Sequence, residues 1–133
     1  DLDDGYQTWK RAISLPTPAA GTVPVIIGGH SEAAARRAGR LGDGFFPGKG
    51  NNETLAHLIG IMRQTAEDNG RDPDAIEVTA GTPALGGDDP VGVVEEMAAL
   101  GIHRLITPPL AFDADSAPEA YAAFGERIIA KVS

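Results

Sequence analysis

Gly28, Gly29, His30 and Ser31 stand where the apolar run Val23-Pro24-Val25-Ile26-Ile27 gives way to a helix-forming segment, and they carry the parts of an anion-binding turn. Glycines reach backbone angles that other residues avoid, and without a Cβ they let a ligand come close to the main chain. Ser31 occupies the N-cap position ahead of Glu32 and an alanine-rich run, so the first free N–H groups of that helix face the turn. Unpaired donors and the positive end of the helix dipole converge there, which suits a phosphate. His30 adds a group able to donate to a phosphate or to move a proton. A purely structural reading accounts for the same residues: two glycines for a tight strand-to-helix turn, Ser31 for the cap, and His30 as an exposed residue before it.

Other chemically capable residues are scattered. Lys49, in the loop Pro47-Gly48-Lys49-Gly50, can give a phosphate its counter-charge or simply point into water. Thr107, before Pro108-Pro109, is placed to line a cavity if it ends a barrel strand, or the prolines only shape a turn. His57 and His103 have no ligand spacing with each other or with carboxylates, so no metal site is expected. Asp88-Asp89 precedes Pro90 and reads as a helix cap, and Ser31 lacks the surroundings of a nucleophile elbow. No catalytic residue can be named from the sequence.

With 133 residues the chain suits one domain able to bury a core. Its 11 basic and 19 acidic residues leave a net charge of −8, with no basic cluster, which argues against nucleic acid or an anionic membrane as partner. It has no cysteine, hence no disulfide framework, thiol nucleophile or cysteine metal site. No apolar stretch approaches the roughly 18 residues of a membrane span, and Asp1-Leu2-Asp3-Asp4 is unlike a basic signal-peptide start. A soluble, cytoplasmic protein is expected.

The elements that must position these residues follow a regular alternation. Residues 1–21 carry Trp9 and Ile13 on a short piece that reads as helix, then the extended Leu15-Pro16-Thr17-Pro18-Ala19-Ala20-Gly21; the whole reads as an incoming connection. From Val23 the pattern is strand then helix, four times. The first strand, β-branched and short, reads as buried on both faces. The first helix, about Glu32 to Leu41, sets Ala34, Ala35, Ala38 and Leu41 inward and Arg36, Arg37 and Arg40 outward. Asp43 to Gly48 gives the second strand and its exit. The second helix, capped by Asn51 or Asn52, turns Leu55, Leu58, Ile59, Met62 and Ala66 to the core. Ile76 to Ala80 is the third strand, leaving through Gly81-Thr82-Pro83. Asp89 caps a third helix begun by Pro90, with Val91, Val94, Met97 and Ala98 inward and Gly101 as its stop. His103 to Thr107 is the fourth strand and exit. Ser116 and Glu119 have capping-box spacing before a last helix with an apolar stripe of Tyr121, Phe124, Ile128 and Val132.

Residues 40–47 and 99–108 share one order: helix end, Leu-Gly, strand, proline at the exit. They read as repeated βα units, so the class is α/β. Four such units make a small open sheet or half of an eight-stranded barrel. The Gly/Pro exits and a chain that opens inside a connection favour the half barrel, and predict that it is the tail of something longer. A four-strand half leaves two edges unpaired, so it should meet a copy of itself or an N-terminal half.

Residues 24–47, Pro24-Val25-Ile26-Ile27-Gly28-Gly29-His30-Ser31-Glu32 running on to Gly42-Asp43-Gly44-Phe45-Phe46-Pro47, closely resemble the C-terminal half of bacterial luciferase-like oxidoreductases. The likeness is strongest to the actinobacterial members that use coenzyme F420. Gly70-Arg71-Asp72-Pro73-Asp74-Ala75-Ile76-Glu77-Val78 and Leu100-Gly101-Ile102-His103-Arg104-Leu105 are similar to recurring stretches there. The resemblance covers residues 22–133 well and the opening poorly. It implies a (β/α)8 TIM barrel of which residues 22–133 supply strands five to eight as a half-barrel within one luciferase-like domain. It further implies that Gly28, Gly29, His30 and Ser31, with Pro47, Gly48 and Lys49 beside them, contact the phosphate of F420 or FMN. A complete barrel runs to about 250 residues, and the usual catalytic positions of the family lie in strands one to four, which have no counterpart here. The expected function is therefore the cofactor-phosphate-binding half of a flavin- or deazaflavin-dependent oxidoreductase or monooxygenase acting on a small organic substrate. The alternative is a non-catalytic half-barrel, or a fragment completed by dimerisation.

Overall fold

The computed structural model of the chain describes residues 2–11, 13, 15–48 and 50–132. A short antiparallel pair opens it, β1 (Leu2–Asp3) against β2 (Thr8–Trp9). The possible helix around Trp9 is thus a hairpin. Its turn forms because the Asp4 carboxylate accepts from the Tyr6 and Gln7 amides, a local bond that competes with helix.

The body of the fold alternates as expected. It runs β3 (Ile26–Gly28), α1 (Glu32–Leu41), β4 (Gly44–Phe46), α2 (Asn52–Asp68), β5 (Glu77–Gly81), α3 (Pro90–Ala99), β6 (Arg104–Ile106) and α4 (Ala117–Phe124). A wider π turn, Gly125–Ile129, and a last helical turn, Ala130–Val132, follow α4. The four longer-range strands form one parallel sheet in the order β3-β4-β5-β6. Neighbours in sequence are neighbours in the sheet, with no reversal of order. That is how a barrel is wound, whereas a doubly wound sheet switches direction part-way.

The pleat divides the strand residues between two faces. Ile27, Phe45, Val78, Ala80 and Leu105 point to one side, where they pack with Ala34, Ala35 and Ala38 of α1, Leu55, Leu58, Ile59, Met62 and Ala66 of α2, and Met97 of α3. The other side carries Ile26, Gly44, Glu77, Thr79, Arg104 and Ile106, and no helix covers it among the described residues. The first strand is therefore not buried on both faces: Ile26 is 49% exposed, because no helix among the described residues covers its side, and Val25, ahead of the strand, is 52% exposed. On this open face Arg104 donates to Glu77 at 3.0 Å.

Helices α1 and α2 cross closely because small residues line the contact. Gly39 is buried, and a Cβ there would stand 2.5 Å from the Met62 carbonyl oxygen. Leu41, expected inward, is the last residue of α1 and stands 68% exposed. Arg71 locks the end of α1: its guanidinium donates to the carbonyls of Gly39 (2.7 Å) and Gly42 (2.6 Å), and to that of Ala38 (3.2 Å), which also accepts from the Gly42 amide at 2.8 Å. Asp43 ties the entry of β3, accepting from the Val25 amide at 2.8 Å while its own amide donates to the Val25 carbonyl at 2.9 Å.

Caps agree with the sequence in three helices and differ in the fourth. Ser31, Asn51 and Asp89 each accept from an amide three residues on. Ser116 makes no such bond; its hydroxyl and amide both go to Asp113, at 2.6 and 2.8 Å, so Glu119 has no capping-box partner. The stripe on α4 is likewise incomplete. Ile128 is buried and Phe124 half-buried, but Tyr121 is 56% exposed and Val132 is exposed. On α3, Met97 is buried, Val91 and Val94 are half-buried and Ala98 is exposed.

Candidate functional site

The exits of β3 and β4 lie side by side. Gly28 pairs with Phe46, and the Gly29 amide extends the ladder by donating to the Phe46 carbonyl at 3.0 Å. Gly29 then turns at φ +131°, where a Cβ would also stand 2.9 Å from the Ala34 Cβ. The turn leads straight into α1, so this glycine is required by the backbone and by the helix behind it. Gly28 is different: a Cβ on it would meet nothing within 4 Å, and the main chain is open to an approaching molecule.

Ser31 caps α1, its hydroxyl accepting from the Ala34 amide at 3.3 Å and its carbonyl from the Ala35 amide at 3.0 Å. The Glu32 and Ala33 amides have no acceptor among the described residues. They are the unspent donors of a helix N-terminus. Glu32 does not cancel this positive end, because its carboxylate is held by the Arg36 guanidinium at 2.7 Å and by His57 Nε2 at 3.2 Å. The bond to Arg36, then that to His57, holds the Glu32 carboxyl below its ordinary range.

His30 is exposed and its ring faces the β4 exit: a Cβ on Gly48 (φ +81°) would lie 3.7 Å from His30 Nδ1. Pro47 is buried beneath that exit. Gly28, Gly29, His30, Ser31, Pro47 and Gly48 are therefore brought together at one mouth of the sheet. Lys49 lies outside the described residues.

The same mouth continues across β5 and β6. A cavity of about 510 Å³ is lined by Phe46, Gly48, Gly81, Thr82, Ile106 and Thr107 among others. A second, of about 310 Å³, lies behind the β5 and β6 exits against Phe124 and Ile128, and shares Thr82, Pro83, Thr107 and Pro108 with the first. Thr107 was legible as a cavity residue. Thr82 was not, although it follows a strand in the same way; the rule that strand exits gather at one end names both.

The remaining polar candidates have structural roles. His57 bridges α2 to Glu32, His103 Nδ1 accepts from the Val78 amide at 3.0 Å, and Asp89 accepts from the Gly92 amide at 3.0 Å. Among the described residues no group of three or more histidine, aspartate or glutamate side chains is placed to hold a metal ion, and no helix is long and apolar enough to cross a membrane.

A singly wound parallel sheet whose strand exits gather beside a glycine turn and a free helix N-terminus defines one class of protein, half of a (β/α)8 barrel. Comparison with known proteins gives the family: residues 4–129 match the model of the luciferase-like monooxygenases, and the chain belongs to that family. The match reaches into the opening segment that the residue-level resemblance covered poorly. Over 79 residues the chain is 35% identical to an F420-dependent glucose-6-phosphate dehydrogenase of Mycolicibacterium gilvum and 37% identical to one of Mycolicibacterium smegmatis. Each match takes in 58% of this chain and 23% of the relative. The fold is similar to the coenzyme F420 dependent tetrahydromethanopterin reductase from Methanopyrus kandleri, with a TM-score of 0.65 at 15% identity, over 84% of this chain and 51% of that one. The chain thus spans about half the length of that structure.

Proposed function

We propose that residues 22–133 are the cofactor-binding half of a cytoplasmic luciferase-like oxidoreductase, with residues 1–21 the connection into it, and that the β3 and β4 exits hold the phosphate-bearing part of coenzyme F420. The observation that carries this reading is the turn itself: Gly28 open above its Cα, Gly29 at φ +131°, and the Glu32 and Ala33 amides without acceptors beside it. These residues fit a phosphate, which needs donors and a close main chain and no buried counter-ion. Gly28, Gly29, His30 and Ser31 hold the group on one side, with Pro47, Gly48 and Lys49 on the other. The names of the two dehydrogenase relatives favour the deazaflavin; FMN is the alternative.

Bound there, a reduced deazaflavin supplies hydride, and a flavin can instead react with oxygen, toward an organic substrate. This chain contributes binding and orientation. The α1 amides and dipole neutralise the phosphate, the absent side chain at Gly28 sets how near it comes, and His30 donates to it from the Gly48 side. Catalytic residues are assigned to the strands that complete the barrel.

Titration with F420 and with FMN, read by thermal denaturation and calorimetry, tests the reading. A ligand at a hundred times its Kd raises the stability by about 2.7 kcal/mol, and F420 is expected to do so. No stabilisation by either overturns the cofactor role.

A second reading, a half-barrel without catalysis completed by a second copy, is favoured by one feature. The face bearing Ile26 and Ile106, each 49% exposed, is uncovered, and β3 and β6 each have one unpaired edge within the sheet. Such edges invite pairing. Sedimentation equilibrium showing a dimer that binds neither cofactor would favour it.

A further inference from the structure

The two cavities meet at a wall that has both an apolar and a polar character. Gly81 and Ile106 are paired across β5 and β6, so Thr82 and Thr107 leave the sheet side by side, and both line both cavities. No charged side chain lines the mouth cavity among the described residues. Arg127 lines the far cavity, but its guanidinium donates to the Gly87 carbonyl.

The threonines have complementary hydrogen-bonding capacity left over. Thr82 Oγ1 accepts from the Ala84 amide at 3.2 Å, so its O–H remains to be donated. Thr107 Oγ1 donates to the Pro108 carbonyl at 3.0 Å, so its oxygen remains to accept. One hydroxyl offers a proton and its neighbour a lone pair, the pair of partners an alcohol needs; a carbonyl needs only the first.

We propose that the substrate is an apolar organic molecule with one oxygen function, an alcohol or the corresponding ketone, its oxygen at Thr82 and Thr107 and its hydrocarbon in the cavity against Phe124. The inference rests on the oxidoreductase reading and names the substrate class of that same site. A phosphorylated sugar is disfavoured there: it would place several hydroxyls and a dianion against apolar walls, in a chain whose net charge is −8.

The experiment is calorimetric titration of the purified chain with acetophenone, 1-phenylethanol, ethylbenzene and glucose 6-phosphate, with F420 titrated in parallel. Acetophenone and 1-phenylethanol should bind at least tenfold more tightly than ethylbenzene, which lacks the oxygen, and than glucose 6-phosphate. Thr82→Val should weaken both oxygenated ligands about tenfold and leave ethylbenzene unchanged. Thr107→Val should weaken 1-phenylethanol and spare acetophenone, a pattern that misfolding cannot produce. Equal binding of ethylbenzene, or glucose 6-phosphate as tight as acetophenone, overturns the proposal. Absent ketone binding with F420 binding intact sinks the substrate class alone; ketone binding with no F420 binding sinks the cofactor reading alone.

Discussion

Two adjacent glycines should respond in opposite ways to the same one-carbon change. In Gly29→Ala the new methyl must be carried at φ +131° and would stand 2.9 Å from the Ala34 Cβ. Holding a side chain in so sparsely populated a region costs on the order of 1–3 kcal/mol, and overpacking against the helix adds about 1–3 more. A net loss of about 3 kcal/mol is expected after relaxation. For a chain of this size each kcal/mol moves Tm by about 3 °C, so Tm should fall by roughly 10 °C. In Gly28→Ala the methyl meets nothing within 4 Å and the residue lies in a strand. Stability should stay level or rise by up to about 1 kcal/mol, since glycine costs backbone entropy there. Over Gly28, however, a methyl occupies the space through which a phosphate would reach the main chain. Its affinity for F420 should fall at least tenfold, about 1.4 kcal/mol. Thermal denaturation and calorimetric titration of both variants decide the matter. A Gly28→Ala protein that binds F420 as the parent does refutes the cofactor reading of this turn, and a Gly29→Ala protein with unchanged Tm refutes the assigned backbone role.

Other consequences can be measured separately. Gly39→Ala should lose about 2 kcal/mol despite alanine's better helix propensity, because the methyl would press on the Met62 carbonyl; Gly60→Ala on α2, with nothing within 4 Å, should gain about 1 kcal/mol, both read from urea midpoints. Arg71→Met, which takes the guanidinium from the Gly39 and Gly42 carbonyls and leaves Ala38 only its bond from the Gly42 amide, should cost about 3 kcal/mol, with amide exchange accelerated first in the last turn of α1. The Glu32 carboxyl is held below its ordinary range by Arg36 and His57. Its contribution to stability is therefore present above the unfolded-state pKa and lost as pH falls through the lower folded-state value. Wild type and Glu32→Gln should differ in urea midpoint near neutrality and converge at acid pH; a constant difference across that range would show that the carboxylate's charge is not the cause.

Local chemistry made much of this legible. Ser31, Asn51 and Asp89 were readable as caps because each cap is a bond within three residues, and the buried stripe of α2 because helical spacing alone fixes it. The parallel order of four strands followed from repeated βα units. What failed in the reading failed for want of neighbours. Leu41, the last residue of α1, stands exposed, Ile26 lies exposed because no helix among the described residues covers its side of the sheet, and Ser116 found Asp113 in place of a capping box.

The sequence by itself determined the order of strands and helices, three of the four principal caps, and a glycine turn ahead of a helix N-terminus, since each depends on residues close along the chain. Only the tertiary structure decided that Gly29 serves the fold while Gly28 is open to a ligand, and that His30 meets Gly48. It also set Thr82 and Thr107 side by side on a shared wall, because these relations join separate strands through sheet register and helix packing, which no local pattern encodes.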